Sequence, residues 1–207
     1  MDHVLRAGIA VYNAGEFHAA HDAWEDRWLE LDSGSDDERL LHGLIQFTAA
    51  IHHARSRNWS GCVGLCSSAI GYLEPLGEQY RGVDVARIRS ILRAFAADPE
   101  RIERQSPPKL RHRGTVVTVS TLRIPELTIA AATIAGEGEY DRSILDDAGT
   151  YAAEEADRGQ SRFAGLLTEF IRNRDRRAVV YDRLQSHVER RRAREDDVSG
   201  LFDGTDE

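Results

Sequence analysis

Between residues 18 and 25 the chain places two imidazoles and two carboxylates, His18, His21, Asp22 and Glu25, within two helical turns. His21 and Glu25 are four residues apart, so on a helix their side chains meet on one face, next to Trp24 and Trp28. A second polar group follows with His42, Gln46, His52 and His53, in which Gln46 and His53 are seven apart and Ala49 between them leaves room. If the two segments are helices packed as an antiparallel hairpin, His21, Asp22, Glu25 and Trp28 face Gln46, His52 and His53 across a shared pocket. Neutral imidazole and carboxylate are ordinary ligands of zinc, manganese and iron, and helix bundles build such sites from inward side chains. The ligand set this pattern offers a divalent metal is His21, Glu25 and His53. The same groups can instead satisfy one another by hydrogen bonding and fix helix register without any ligand. The order His-Asp-x-x-Glu occurs once, and is neither His-Glu-x-x-His nor a paired Glu-x-x-His. The expectation is therefore an interaction or scaffold module with a structural buried polar cluster. The alternative is a metal- or small-ligand-binding protein, a hydrolase among the options, that uses the His/Glu/Gln pocket.

The elements that must position these groups read as helices. Val4, Ala7, Val11 and Tyr12 give a helical period with Asp2 as N-cap, and Gly15 suits a left-handed C-cap. A second helix is expected from Glu16 to Leu31, with Phe17, Ala20, Trp24, Trp28 and Leu31 as its apolar stripe. Ser35-x-x-Glu38 is a capping box that opens a third helix running to Arg57. Asn58 or Ser60 caps a fourth helix that ends near Pro75 and Gly77. A fifth spans Asp84 to Ala97. Residues 13–20 resemble residues 55–62 at an offset of 42, pairing Phe17 with Trp59 and Ala20 with Cys62, in the manner of tetratricopeptide-style hairpins. Ser106-Pro107-Pro108 marks a boundary, which gives an N-terminal helical domain over 1–105, a linker over 106–112 and a mostly helical extension over 113–207. Alternation in that extension predicts a short strand or hairpin near 113–122. Helices follow from Ile124 to Ala135, Asp141 to Asp157, Ser161 to Asn173 and Asp175 to Arg194, and Leu201-Phe202 is a candidate docking pair. The fold class is all-α: about five helices built from hairpins, plus this extension.

The residues that carry the pocket also carry a resemblance. The stretch Tyr12 to Trp28, the block Leu41-His42-Gly43-Leu44-Ile45-Gln46 through His53, and Arg57-Asn58-Trp59-Ser60-Gly61 together resemble the family known as domain of unknown function 309, over about residues 5–80. The resemblance implies a compact all-α bundle of prokaryotic origin with no established activity. His21, Glu25, Trp28, Gly43 and Gln46 match its characteristic positions. Asp22 stands where glutamate is usual, shortening that carboxylate by one methylene, and His42 stands where glutamine is usual.

Charge narrows the remaining classes. The net charge is −8, yet Lys109 is the only lysine among 27 basic residues. An acidic, arginine-rich surface fits a salt-adapted cytosolic protein, and GC-rich coding produces the same bias. Against this background, residues 172–194 carry nine arginines and three acids. That is enough for a nucleic-acid-associated factor acting through Arg190, Arg191 and Arg192. Val180, Leu184 and Val188 give the same segment an apolar stripe, so the first expectation is an amphipathic helix whose arginines pair with the acidic N-terminal half. Nucleic acid is not the expected partner; a protein partner or self-association is. Cys62 and Cys66 read as small buried apolar residues. No nucleotide-binding glycine loop and no Gly-x-Ser-x-Gly elbow occurs, and no motif demands a cofactor beyond the divalent metal. The N-terminus lacks the pattern of a signal peptide and no apolar run reaches membrane length, so the expected location is cytoplasmic.

Overall fold

The computed structural model describes residues 1–136, 138, 140–156 and 161–202, with side chains to residue 197. Within them the chain forms α1 (Asp2–Ala14), α2 (Phe17–Trp28), α3 (Asp36–Arg55), α4 (Trp59–Leu73), α5 (Val85–Ala97), α6 (Ile124–Gly136), α7 (Arg142–Ala156), α8 (Arg162–Arg172) and α9 (Arg177–Phe202). No helix is long and apolar enough to cross a membrane among the described residues. The docking expected of Leu201 and Phe202, like the helix end at Asp157, lies outside what is described.

The helix ends follow from local chemistry. Gly15, at φ 95°, turns the chain into a Schellman motif: its N–H reaches Tyr12 O at 2.9 Å and the Glu16 N–H reaches Val11 O at 3.2 Å. Ser35, Asn58, Asp84 and Ser161 each accept a backbone N–H three residues on, capping α3, α4, α5 and α8. Asp2 is not a cap. It is the first helical residue, with Met1 before it. The second helix stops at Trp28 rather than Leu31, because the chain turns there. Phe17 and Trp59 are each the first residue of a helix, as the 42-residue offset implies.

A four-stranded antiparallel sheet in the order β1-β2-β3-β4 joins the two halves of the sequence, with β1 Gln79–Tyr80, β2 Val83–Asp84, β3 Arg111–His112 and β4 Thr115–Val116. Both hairpins turn on an Arg-Gly pair. Arg81 and Gly82 have φ of 50° and 76°, and Arg113 and Gly114 have 49° and 77°, the positive pair that tight hairpins require. The hairpin expected at 113–122 therefore lies at 111–116, and Val119–Thr121 forms a single 3-10 turn instead.

The boundary expected at 106–112 is bridged. Val83 pairs with His112 across the sheet. Buried Asn13 donates to Leu110 O at 2.9 Å and Val117 O at 2.8 Å, and accepts from Leu110 N–H at 2.8 Å. Tyr12 Oη donates to Pro108 O, and Lys109 to Asn13 O. The α6 residue Glu126 is fully buried and receives Arg6 Nε at 3.0 Å, the Arg123 guanidinium at 2.8 Å and the Arg123 backbone N–H at 2.9 Å. One hydrophobic cluster accordingly runs from Leu5 through Trp24, Phe47, Phe95 and Ala131 to Val188. Trp24 sits so close to Gly8 that a β-carbon there would lie 2.2 Å from the indole Nε1. That glycine is what lets α1 approach α2.

Candidate functional site on helix α2

Four polar residues of α2 fall at i, i+3, i+4 and i+7, namely His18, His21, Asp22 and Glu25, and so form one stripe. It runs beside the buried face made by Phe17, Ala20 and Trp24. His18 Nδ1 lies 3.6 Å from Asp22 Oδ2, and His21 Nε2 lies 3.7 Å from Glu25 Oε1. One ligand atom from each of His21, Asp22 and Glu25 can be chosen so that all three lie within 4.8 Å of one another. The cluster is half-buried: 29% of the His21 side chain and 44% of the Glu25 side chain meet solvent. Burial raises the Asp22 carboxyl above its ordinary range; His18 and His21 pull it down, and Glu25 adds to the rise. From α3, the His52 ring stands 5.9 Å from that of His18. Burial and the neighbouring His18, His53 and Arg55 lower the His52 pKa, which favours the neutral imidazole.

The expected single pocket divides into three. Gln46 and Trp28 belong to a chain further along the hairpin. Trp28 Nε1 donates to Glu38 Oε1 at 2.9 Å, His42 Nδ1 donates to the same oxygen at 3.2 Å, and Gln46 Nε2 donates to His42 Nε2 at 3.4 Å. One His42 tautomer satisfies all three, and the ring stacks on Tyr72 at 3.7 Å. Glu38 therefore completes no reciprocal capping box in the way its spacing from Ser35 predicts; its carboxylate is drawn to the indole and the imidazole. Burial would raise the Glu38 pKa, but hydrogen bonds from Trp28, His42 and the Gly34 backbone N–H outweigh it and the carboxyl is lowered. His53 is held separately, its Nδ1 accepting from Asn58 Nδ2 at 2.7 Å beside the cap of α4. His21 and Glu25 are brought together as expected, with Asp22 completing the trio in place of His53.

Sequence reasoning missed the cleft beside this trio. It holds about 450 Å³ between the start of α2, the end of α3, Gly136 and Arg174. Phe17, His18, Asp22, His52 and Arg55 line it. The signal was present in the proximity of Phe17 and Arg55 to the histidines, but only the hairpin geometry shows that they converge. The arginines of α9 also differ from expectation. Arg191 pairs with Glu154 at 2.8 Å and Arg192 with Asp147 at 2.6 Å, both acids of α7, while Arg190 donates to His187 Nδ1. At the root of the helix Arg177 does reach the N-terminal half, meeting buried Glu16 at 2.6 Å.

No curated protein matches the chain. Residues 5–65, the segment that spans α1 through the first half of α4 and carries the whole polar stripe, match the family described as "Domain of unknown function (DUF309)", the family the three motif blocks resemble.

Proposed function

We propose that the protein binds a divalent transition-metal ion on the half-buried face of α2 through His21, Asp22 and Glu25, and that the ion acts as a Lewis acid on a small molecule, with hydrolysis the reaction class. One observation carries this: an imidazole nitrogen and two carboxylate oxygens already lie within 4.8 Å of one another. Ligand atoms about 2.1 Å from a tetrahedral ion are about 3.4 Å apart, so the 3.7 Å between His21 and Glu25 needs only small rotations. Three protein ligands leave a coordination position for water or substrate, the pattern of catalytic rather than structural ions. Partial exposure keeps that position open.

The scaffold alternative draws its support from the Trp28–Glu38–His42–Gln46 chain, whose donors and acceptors are matched internally. That chain can by itself fix the register of α2 against α3, apart from the His21 cluster.

The test is metal content and Co²⁺ titration of the wild type, His21→Ala and His53→Ala, each checked by circular dichroism. About one ion per chain in the wild type, lost in folded His21→Ala and kept in His53→Ala, is the expected outcome. A wild type that takes up neither Co²⁺ nor Zn²⁺ at micromolar concentration, or a His21→Ala variant that binds as well as wild type, overturns the proposal.

A further inference from the structure

The cleft next to the α2 trio has a chemistry of its own. Phe17 lines it, and the Arg55 guanidinium lies over that ring at 5.2 Å from the centroid. A stacked guanidinium spends its face on the ring and keeps its N–H edge for other partners. Among the described residues, none of those donors meets a hydrogen-bond acceptor, and no carboxylate pairs with Arg55. By contrast Arg6, Arg81, Arg177, Arg191 and Arg192 are each engaged with an acid. Arg174 stands on the opposite wall, its nearest acid being Glu16 at 4.0 Å, and Glu16 is already matched by Arg177 at 2.6 Å. The cleft therefore holds Arg55, which has no acidic partner among the described residues, and Arg174, which only shares Glu16 with Arg177, beside the carboxylates of Glu16 and Asp22. Asp22 lines the cleft and also belongs to the trio, so the two share an edge. The volume suits a small metabolite, not a polymer.

We propose that this cleft is an anion subsite: Arg55, assisted by Arg174, holds the phosphate or carboxylate group of a small molecule, and thereby presents the rest of that molecule to the face of α2 that carries His21, Asp22 and Glu25. The orientation half of this inference rests on the metal reading. The anion half does not, because Arg55 has no acidic partner among the described residues, whether or not an ion is present.

The experiment is titration of the metal-free full-length protein, and then of the Zn²⁺-treated protein, with inorganic phosphate and separately with succinate, followed by calorimetry and by backbone amide shifts. The variants are Arg55→Gln, Arg174→Gln and the control Arg57→Gln, whose guanidinium is engaged by Glu103 at 2.8 Å. Arg55 and Arg174 are exposed, so the variants fold, and thermal melts verify it. The expected result is millimolar or tighter binding of at least one anion to the metal-free wild type, weakened about tenfold or more by Arg55→Gln, less by Arg174→Gln and not by Arg57→Gln. Preference for phosphate over succinate identifies a phosphoester substrate; the reverse identifies an acid. Absence of binding by either anion, or equal binding by wild type and Arg55→Gln, overturns the anion subsite. If anions bind but Zn²⁺ does not, the metal reading alone fails. If both bind and Zn²⁺ leaves anion affinity unchanged, the shared edge with the trio is refuted.

Discussion

Replacing Glu126 by glutamine removes a charge from a place where the fold depends on it. The carboxylate is fully buried, yet burial, which by itself raises a carboxyl pKa, is outweighed by the Arg123 backbone N–H and by the guanidiniums of Arg123 and Arg6, so that its pKa falls to about 2. The ordinary value is 4.5, and each unit of difference corresponds to about 1.4 kcal/mol, so the ionised group contributes about 3 kcal/mol at neutral pH. The folded-state value lies below the unfolded one. The contribution is therefore complete above pH 4.5, and drains away as pH falls toward 2. Glutamine keeps the shape and one acceptor but carries no charge for Arg6, which is mostly buried. Urea unfolding of wild type and Glu126→Gln at pH 7, 5, 4 and 3 measures the gap directly. A gap of about 3 kcal/mol at pH 7, corresponding to a melting temperature lower by roughly 6–12 °C, is expected to shrink to about 1.4 kcal/mol at pH 3. A gap under about 1 kcal/mol at pH 7, or one that stays constant down to pH 3, would refute the assignment of Glu126 as the charged tie between α1 and α6.

Three further outcomes follow from the same geometry. Asn13→Ala strips three hydrogen bonds from buried partners and is expected to cost about 3 kcal/mol in urea unfolding, while Asn13→Asp recovers only the bond from the Leu110 N–H. Gly8→Ala drives a methyl against the Trp24 indole, so a loss of about 1–3 kcal/mol with a shift in tryptophan emission is expected; an unchanged spectrum would mean that α1 and α2 separate instead. His112 is buried, and burial, ahead of the positive Arg113 and Arg6, lowers its pKa below 6.5 despite the Arg81 carbonyl and Asp2. Its unfolded form takes up a proton first, so stability falls as pH drops below 6.5, and His112→Gln is expected to flatten that part of the pH–stability curve.

Helix existence and caps were legible in the sequence because they are local. Gly15, Ser35, Asn58, Asp84 and Ser161 act within a few residues of where they stand, and the stripe of α9 at Val180, Leu184 and Val188 is buried as its period implies. The candidate site was legible only along one helix. His21 and Glu25 meet because a single helix puts them four apart, whereas His53 and Gln46 depended on the rotation of α3 against α2, which spacing alone does not fix. Glu38 shows how one side chain is shared: the capping-box position is filled by the right residue, but its carboxylate is also drawn to Trp28 on the preceding helix and to His42 one turn on. The two Arg-Gly turns escaped notice because arginine is an uncommon residue at positive φ, where asparagine or aspartate is the usual signal. Asn13 gave no local signal of its role. Its partners lie 97 and 104 residues away, beyond the reach of any sequence window.

Those separations also set a clock. The side chain of Asn13 closes onto Val117, and Arg6 onto Glu126, so α1 waits for its final partners until more than a hundred further residues have been made. At synthesis rates of about 5–20 residues per second, the segment up to residue 65 emerges several seconds before residue 117 does. During that interval Asn13 has only water to bond with, and the face of α1 that α6 later covers is open to other chains. Growth temperature and chaperone supply are thus expected to influence the yield of this protein more than its finished core would indicate, and truncations that keep the family segment but stop short of residue 126 should accumulate as aggregates.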